Sequence, residues 1–194
     1  MRYSKEHKEQ ARSKLLHSGG RHAKKHGFSA SGVQGLAAAA GVTTGSLYKH
    51  FSSKDDLFSA IIEEELAIAA GMYEGLEAAS PKQAMDALAH YLSIRHVKHP
   101  DKGCPLPSLT PEIARAGKVV RATFQSGLQE LHSRVSKVVG ESDHAWTLIA
   151  QNVGAVMLAR AMLNEAAQAE LLEAVFRVGA KNLQLPIALS ESSD

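Results

Sequence analysis

Apolar residues recur along this chain at the three- and four-residue spacing of amphipathic helices, and the sequence shows no sustained strand-like alternation. The first such segment runs from about Lys5 to His26, with apolar side chains that include Ala11, Leu15 and Leu16. Gly27 follows this segment, and glycine is a common residue just past a helix end. The pattern therefore predicts an all-α protein.

Two shorter segments come next. Ser31 can cap a helix over Gly32 to Ala40, and Thr43 or Thr44 can cap another over Gly45 to His50. Short helices about three residues apart, with glycine at the joint, are typical of a helix-turn-helix. We therefore predict a helix-turn-helix DNA-binding domain over residues 1–54.

The rest of the chain, residues 55–194, is predicted to form a helical regulatory and dimerisation domain. A break rich in proline and glycine over residues 99–107 interrupts it. The predicted helices are Lys54 to Ala78, Pro81 to Lys98, Glu112 to Val139 as one helix or two divided near Gly117, Asp143 to Leu163, and Ala167 to Leu185.

Charge divides unevenly between the two predicted domains. Residues 1–54 contain ten lysines and arginines against two glutamates, a net charge of +8, whereas residues 55–194 carry a net charge of −6. A basic N-terminal domain on an acidic body suits a protein that meets phosphate at one end only. Two alternatives are a solvated basic surface without a partner and a module that binds acidic protein surfaces.

The segment from Gly41 to Leu57 carries the DNA-binding chemistry. Val42, Leu47 and Phe51 can bury a small core and leave the other side chains free to face the major groove. Side chains suited to base edges are Thr44, Ser46 and Lys49, and those suited to phosphate oxygens are Tyr48, His50 and Lys54.

These residues closely resemble the TetR family of bacterial repressors. The matching segments are Gly27-Phe28, Ser31, Leu36 to Val42, Leu47 to Phe51 and Lys54 to Leu57. The resemblance implies phosphate contacts from Ser31, Thr43, Tyr48, His50 and Lys54. It also implies that Thr44, Gly45, Ser46 and Lys49 lie nearest the bases.

The chain departs from the family pattern at two places. Gln34 and Gly35 stand where the family often has a basic residue and an acid, so an amide replaces a common phosphate contact. Gly19 and Gly20 stand in the first helix where bulky apolar residues are usual, and each glycine costs about 1 kcal/mol relative to alanine. We expect fraying, a bend or close packing at this glycine pair.

A single helix-turn-helix contacts few base pairs, so a two-fold homodimer on a palindromic operator is expected. The TetR resemblance implies that the last two helices form the interface, whereas the alternative places the same residues in the chain's own core. The candidate interface residues are Trp146, Ile149, Val153, Met157, Leu172, Val175 and Phe176.

Cys104 is the chain's single cysteine and lies close to Lys98, His99 and Lys102, whose positive charge would favour a thiolate. Its Gly-Cys-Pro-Leu surroundings resemble a TetR subgroup with a cysteine at this bend, some members of which respond to electrophiles or oxidants. We hypothesise a sensor thiol, and the alternative is a small buried apolar residue.

A small-molecule effector is also expected, although ordinary core packing explains the same candidate residues. The residues that could line its pocket are Met72, Tyr73, Met85, Tyr91, Leu92, Phe124 and Leu128.

The sequence gives little support for a metal site, a cofactor or catalysis. The pair His22 and His26 has helical spacing but lacks the additional ligands of a metal site, so we predict neither metal nor cofactor. An enzyme that pairs Cys104 with His96 or His99 would lack a third supporting group, so no enzymatic activity is predicted. The charged N-terminus and the absence of a long apolar run indicate a cytoplasmic protein without a membrane span.

Overall fold

A computed structural model describes residues 5–76 and 80–182, and this part of the chain is helical without β-strands, which confirms the predicted all-α class. The α-helices are α1 (Lys5–His26), α2 (Phe28–Ala39), α3 (Thr44–Leu47), α4 (Lys54–Gly71), α5 (Pro81–Tyr91), α6 (Ile94–Lys98), α7 (Leu106–Ile113), α8 (Lys118–Val139), α9 (Ser142–Ala161) and α10 (Glu165–Asn182). A short 3₁₀ helix spans Pro100–Lys102.

The chain forms two compact units. The first combines Met1–Met72 with His99–Leu131, and the second combines Tyr73–Lys98 with His132–Asp194. The first unit therefore includes residues from both sides of the predicted domain boundary after residue 54, and that boundary stays a prediction.

In the first unit, α1 packs against α2, α4, α7 and the 3₁₀ helix, and α2 also contacts α3 and α7. The rings of Phe28 and Phe58 stack with their centroids 4.0 Å apart. Leu15, Leu47 and Phe51 of the same unit are fully buried. Apolar burial of this kind is the main force that holds short helices together.

Gly19 and Gly20 let α1 and α4 approach closely. A Cβ atom added at Gly20 would lie 2.4 Å from Glu65 Oε1, and one at Gly19 would lie 3.3 Å from Ile61 Cδ1. The Glu65 carboxylate occupies this space because it forms a buried ion pair with Lys24, with Nζ 2.7 Å from Oε2. Of the outcomes expected from the sequence, close packing is the correct one.

In the second unit, α9 packs against α10 and α6, and α10 contacts α5 and α6. The loop of Met162 to Asn164 is short, which favours antiparallel neighbouring helices. Arg160 on α9 donates hydrogen bonds to the carbonyl oxygens of His96 and Val97, at 3.1 and 3.3 Å. This side chain therefore satisfies carbonyl groups at the end of the short helix α6.

Several predicted helix limits need correction. The helix from Lys54 ends at Gly71, earlier than expected, while the predicted ends at Ala78 and Leu185 lie outside the described residues. The helix predicted from Pro81 to Lys98 divides into α5 and α6, and the segment near Gly117 separates α7 from α8. Helix α7 already begins at Leu106, because proline is tolerated in the first helical turn.

Candidate nucleic-acid interface

The helix-turn-helix consists of α2 and α3, joined by a turn in which Gly41 has a φ of 68°. Thr43 caps α3, since its Oγ1 accepts a hydrogen bond from the Ser46 amide at 3.1 Å. The Thr43 hydroxyl hydrogen can still be donated to a phosphate oxygen. Leu47 and Phe51 are buried as predicted, whereas Val42 is only half-buried.

Helix α2 begins differently from the prediction. It starts at Phe28, and the Ser31 hydroxyl donates to the Gly27 carbonyl, so the prediction that Ser31 caps this helix is wrong. The helix is kinked at Gly32, whose φ of 60° is disfavoured for residues with a Cβ. Ser31 therefore lies just before the kink.

A carboxylate from α7 caps the start of α2. Glu112 Oε1 accepts from the Phe28 amide at 3.0 Å, and Oε2 accepts from the Ser29 amide at 2.7 Å. A Cβ added at Gly27 would lie 2.9 Å from Glu112 Oε1, so glycine is needed for this approach. Sequence reasoning missed Glu112 because 84 residues separate it from Phe28 and no local motif joins them.

Helix α3 is a single α-helical turn, shorter than the predicted Gly45 to His50. The chain continues beyond it with hydrogen bonds from the His50 and Phe51 amides to the Leu47 carbonyl, at 2.9 and 3.1 Å. Within this recognition turn, defined here as residues 43–50, most predicted DNA-contacting side chains are open to solvent. Thr43, Gly45, Tyr48 and Lys49 are exposed, and Thr44, Ser46 and His50 are half-buried.

The remaining predicted contacts lie on α2 and α4. Gln34 is exposed, and Ser31 is half-buried. Ser53 caps α4 by accepting from the Asp56 amide at 3.0 Å. Lys54, at the first position of α4, lies with its Nζ 5.2 Å from the centroid of the Phe28 ring, a cation–π geometry.

His50 lies among positive charges. Its pKa is lowered from the ordinary value of 6.5, first by partial burial and then by the charges of Arg12, Lys8 and Lys49. The Arg12 guanidinium carbon lies 5.3 Å from the centroid of the Phe51 ring. These surroundings favour the neutral form of His50 in the free protein, and a bound anion would favour its protonated form.

The predicted dimer residues lie on α9 and α10 in the second unit. On α9, Trp146 and Met157 are exposed, and Ile149 and Val153 are half-buried. On α10 the half-buried residues are Val175 and Phe176, whereas Leu172 is buried in the core of this unit. Leu172 can therefore offer little contact area, and the outward stripe of α10 runs instead through Leu171, Val175 and Val178.

The segment around Cys104 contacts α1 within the first unit. Arg21 Nη2 lies 2.7 Å from Asp101 Oδ2, and this hydrogen bond lowers the pKa of Asp101. Lys24 Nζ donates to the Gly103 carbonyl at 3.0 Å, so the peptide bond that precedes Cys104 is tied to α1.

Cys104 and the basic residues predicted to favour its thiolate differ in their exposure and contacts. Cys104 is half-buried, and His99 and Lys102 are exposed. Lys98 belongs to the second unit and forms an ion pair with Glu165 of the same unit.

The candidate ligand-pocket residues divide between the units. Met72, Phe124 and Leu128 belong to the first unit, and Tyr73, Met85, Tyr91 and Leu92 belong to the second. The pocket stays a prediction.

The histidines are placed as follows. The rings of His22 and His26 lie 4.7 Å apart, and the described residues contain no cluster of three potential metal ligands. His96 is buried, with Nδ1 2.7 Å from the Tyr91 carbonyl oxygen.

Within the described ranges, no helix has the length and apolar character of a membrane span.

An all-helical chain with a basic helix-turn-helix domain defines the class of DNA-binding transcriptional regulators. The sequence model of the family described as "Bacterial regulatory proteins, tetR family" matches residues 15–61. Residues 15–61 therefore have the sequence of a TetR-family DNA-binding domain, as the resemblance implied. The regulators of this family are DNA-binding proteins rather than enzymes, which argues against the enzyme alternative.

Solved structures share the fold over nearly the whole chain. The reduced form of E. coli NemR has a TM-score of 0.71 at 21% identity and covers 89% of this chain and 96% of its own. A TetR-family regulator from Agrobacterium tumefaciens has a TM-score of 0.74 at 18% identity, covering 90% and 97%.

FadR from Bacillus subtilis, in complex with stearoyl-CoA, has a TM-score of 0.64 at 14% identity and covers 88% and 98%. No sequence among the curated proteins matches the chain.

Proposed function

We propose that this TetR-family regulator is a cytoplasmic homodimeric repressor whose two helix-turn-helix domains occupy a palindromic operator. In this proposal, a small molecule or modification of Cys104 releases it from DNA. The observation that carries the proposal is the exposed recognition turn, where Tyr48 and Lys49 project to solvent beside the half-buried His50. Phosphate contacts from such side chains give affinity, and base contacts from Thr44, Ser46 and Lys49 would give sequence preference.

The DNA-binding step is tested with duplex DNA from the region upstream of the chain's own gene. Replacing Tyr48 with phenylalanine or Lys54 with alanine should weaken binding to all duplexes alike, whereas Lys49→Ala should alter sequence preference. Repression predicts that deletion of the gene raises transcription of a reporter carrying the bound upstream region. Lowered transcription would identify an activator and contradict the repressor proposal.

The outward apolar stripes of α9 and α10 support the homodimer. Along α9, Trp146, Ile149, Val153 and Met157 recur at helical spacing, and Val178 is 53% exposed on α10. Exposed apolar residues that line up on adjacent helices mark interaction surfaces, and a two-fold interface uses the same surface on both subunits.

Sedimentation equilibrium tests this interface. Val153→Glu should shift the chain from dimer to monomer, because a carboxylate would be buried without a partner. The matched control is Lys137→Glu on α8, an exposed position outside the stripes. A dimer that is unaffected by Val153→Glu would contradict this assignment.

The hydrogen bond from Lys24 to the Gly103 carbonyl supports a sensor role for Cys104. Oxidation of the Cys104 thiolate by hydrogen peroxide would give a sulfenic acid and hydroxide, and it would enlarge the side chain next to this bond. A displaced Gly103 carbonyl would disturb Lys24 on α1, the helix against which α2 packs. The E. coli neighbour NemR is described in a reduced form, which fits a redox-sensitive proposal.

The sensor is tested by DNA release. Peroxide or N-ethylmaleimide should release the wild-type protein from its upstream duplex, and Cys104→Ala should keep its DNA under the same treatment. If Cys104→Ala releases DNA like the wild type, the thiol has no sensor role and the structural interpretation of Cys104 holds.

A small-molecule effector is the other route to release. We retain the seven residues predicted from the sequence as the candidate pocket. The FadR neighbour, described in complex with stearoyl-CoA, fits regulation by a small molecule. An apolar effector that binds the free protein more tightly than the DNA-bound protein would lower DNA affinity by that difference. Tyr91→Ala should then weaken release by the effector without changing DNA affinity in its absence.

A further inference from the structure

The N-terminal half of α1 carries basic residues that the family assignment does not cover. Helix α1 begins at Lys5, whereas the match to the TetR family model begins only at residue 15. Lys8 and Arg12 lie in this additional part, four residues apart, and therefore on one face of the helix. The buried Leu15 and Leu16 follow on the same side of α1. The face of Lys8 and Arg12 therefore continues the buried face of this helix toward its N-terminus.

This face lies beside the recognition turn. The Arg12 guanidinium carbon is 5.3 Å from the centroid of the Phe51 ring, and Phe51 directly follows the turn. Lys8, Arg12 and Lys49 all act electrostatically on His50. Both Lys8 and Arg12 are exposed, so their charged ends are open to a ligand in the isolated chain.

The cluster of Lys8, Arg12, Lys49 and His50 brings like charges together. Lys8 and Arg12 repel each other at a spacing of four residues on the helix surface. Among the described residues, none of Lys8, Arg12 and Lys49 has an acidic group within the 4.0 Å of an ion pair, and the acidic group on which Arg12 acts electrostatically is the more distant Glu64. An anion bound against the cluster would reverse this repulsion, since all four groups would then face negative charge.

We propose that Lys8 and Arg12 form a second phosphate-binding site. This site binds the DNA backbone beside the phosphate that His50 contacts. Arg12 offers a planar donor set suited to two phosphate oxygens, and Lys8 adds a point charge. The site extends the DNA contact beyond the helix-turn-helix, and it rests on the proposed function because its ligand is DNA.

The test is the salt dependence of binding to a fluorescein-labelled 30-base-pair duplex of mixed sequence. Each phosphate contact that is lost should lower the slope of log K against log salt by about 0.9. The double variant Lys8→Ala/Arg12→Ala should therefore have a slope that is smaller by nearly two units. Alanine favours helix, so α1 should stay folded, and thermal unfolding followed by circular dichroism checks this.

The chain offers a matched control on the same helix. Lys14 and Lys25 are exposed and lie away from the face of α1 that carries Lys8 and Arg12. Lys14→Ala/Lys25→Ala removes the same net charge, and its slope should fall by less than half a unit. Equal slopes for the two double variants would overturn the site, because the effect would then be one of general charge.

Different results would contradict the DNA-binding function and the second phosphate site. A wild-type protein that does not bind the duplex at low salt contradicts the proposed DNA-binding function itself. A wild-type protein that binds with a steep salt dependence, which Lys8→Ala/Arg12→Ala leaves unchanged, contradicts only the second phosphate site.

Discussion

Glu112 accepts a hydrogen bond from the amide of Phe28 and so caps the first helix of the helix-turn-helix from a distant part of the chain. The amide of Ser29 donates to the other oxygen of the same carboxylate. A negative charge at a helix N-terminus is stabilised both by the unpaired amides and by the helix dipole. The start of α2 is therefore held by α7 rather than by a residue of its own.

Removing this cap should loosen α2. Glu112→Ala is expected to cost about 1 to 2 kcal/mol, the upper part of the range for a lost cap, because two amides lose one carboxylate. Hydrogen exchange measured by mass spectrometry should be faster in peptides that contain Phe28 and Ser29. Glu112→Gln keeps one acceptor and should lie between the wild type and Glu112→Ala.

The control is Glu173→Ala on α10. Glu173 forms an exposed pair with Arg177, and such a surface pair contributes only a few tenths of a kcal/mol. Exchange near Phe28 should not change in this variant. If Glu112→Ala also leaves that exchange unchanged, the carboxylate does not hold α2 in solution.

The packing at Gly20 gives a second prediction. Alanine is the better helix former by about 1 kcal/mol, but here its Cβ would lie 2.4 Å from Glu65 Oε1. Glu65 cannot move away freely because it is paired with the buried Lys24. Gly20→Ala should therefore destabilise the protein, by roughly 1 to 3 kcal/mol as for other overpacked sites, when urea unfolding is followed by circular dichroism.

Gly35 on α2 is the matched position. A Cβ there would lie 3.6 Å from its nearest neighbours, an ordinary contact distance, and the backbone φ is not positive. Gly35→Ala should keep the helix-propensity gain and raise the free energy of unfolding. Equal effects of the two substitutions would show that α1 and α4 are not packed as closely as described.

These two sites also show how far the sequence alone could reach. The limits of α1, the capping of α3 by Thr43 and the burial of Leu47 follow from local spacing and local chemistry, and all were predictable. The need for glycine at position 20 was not predictable, because the space beside Gly20 is filled by Glu65, which is distant in sequence. Only the packing of α1 on α4 brings these residues together.

The turn of α2 that precedes Gly32 was missed for a related reason. Ser31 is a good capping residue, so local rules favoured a helix that begins after it. The carboxylate of Glu112 instead satisfies amides three residues earlier, and the kink at Gly32 separates the two parts of α2. A tertiary contact therefore stabilises a turn that the local signal does not predict.

The Lys24–Glu65 pair gives a third prediction. Both side chains are buried, so removing one partner leaves an uncompensated charge, which typically costs about 3 to 5 kcal/mol. Lys24→Met should therefore destabilise the protein strongly in urea. The double variant Lys24→Met/Glu65→Leu replaces both charges with apolar groups and should recover most of this loss.

A double-mutant cycle separates the pair from other effects of Lys24. Lys24 also donates to the Gly103 carbonyl, and that bond is absent in both Met variants. Additive losses from Lys24→Met and Glu65→Leu would mean that the two charges do not stabilise each other.

The histidine of the recognition turn gives a pH prediction. In the free protein, burial and the charges of Arg12, Lys8 and Lys49 hold the pKa of His50 below 6.5. A phosphate beside the ring would favour the protonated form, so the pKa of His50 should be higher in the DNA complex. Binding then takes up a proton, and affinity rises as pH falls through the pKa of the complex.

The rise should level off below the lower pKa of the free protein, since His50 is then already protonated before binding. Each pKa unit of difference between the free and bound states corresponds to about a tenfold gain in affinity. The measurement is the dissociation constant of the 30-base-pair duplex between pH 5.5 and 8.0 at constant ionic strength. His50→Gln should flatten the profile, because glutamine does not titrate.

His22 is another titratable histidine of the N-terminal domain. The pKa of His22 is lowered, first by burial and then by His26 and Lys25, so a His22→Gln variant serves as the control. It should keep the increase in affinity at low pH, because His22 is not among the predicted DNA contacts. Parallel pH profiles for the wild type and His50→Gln would place the phosphate away from His50, and the charges around this ring would then need another explanation.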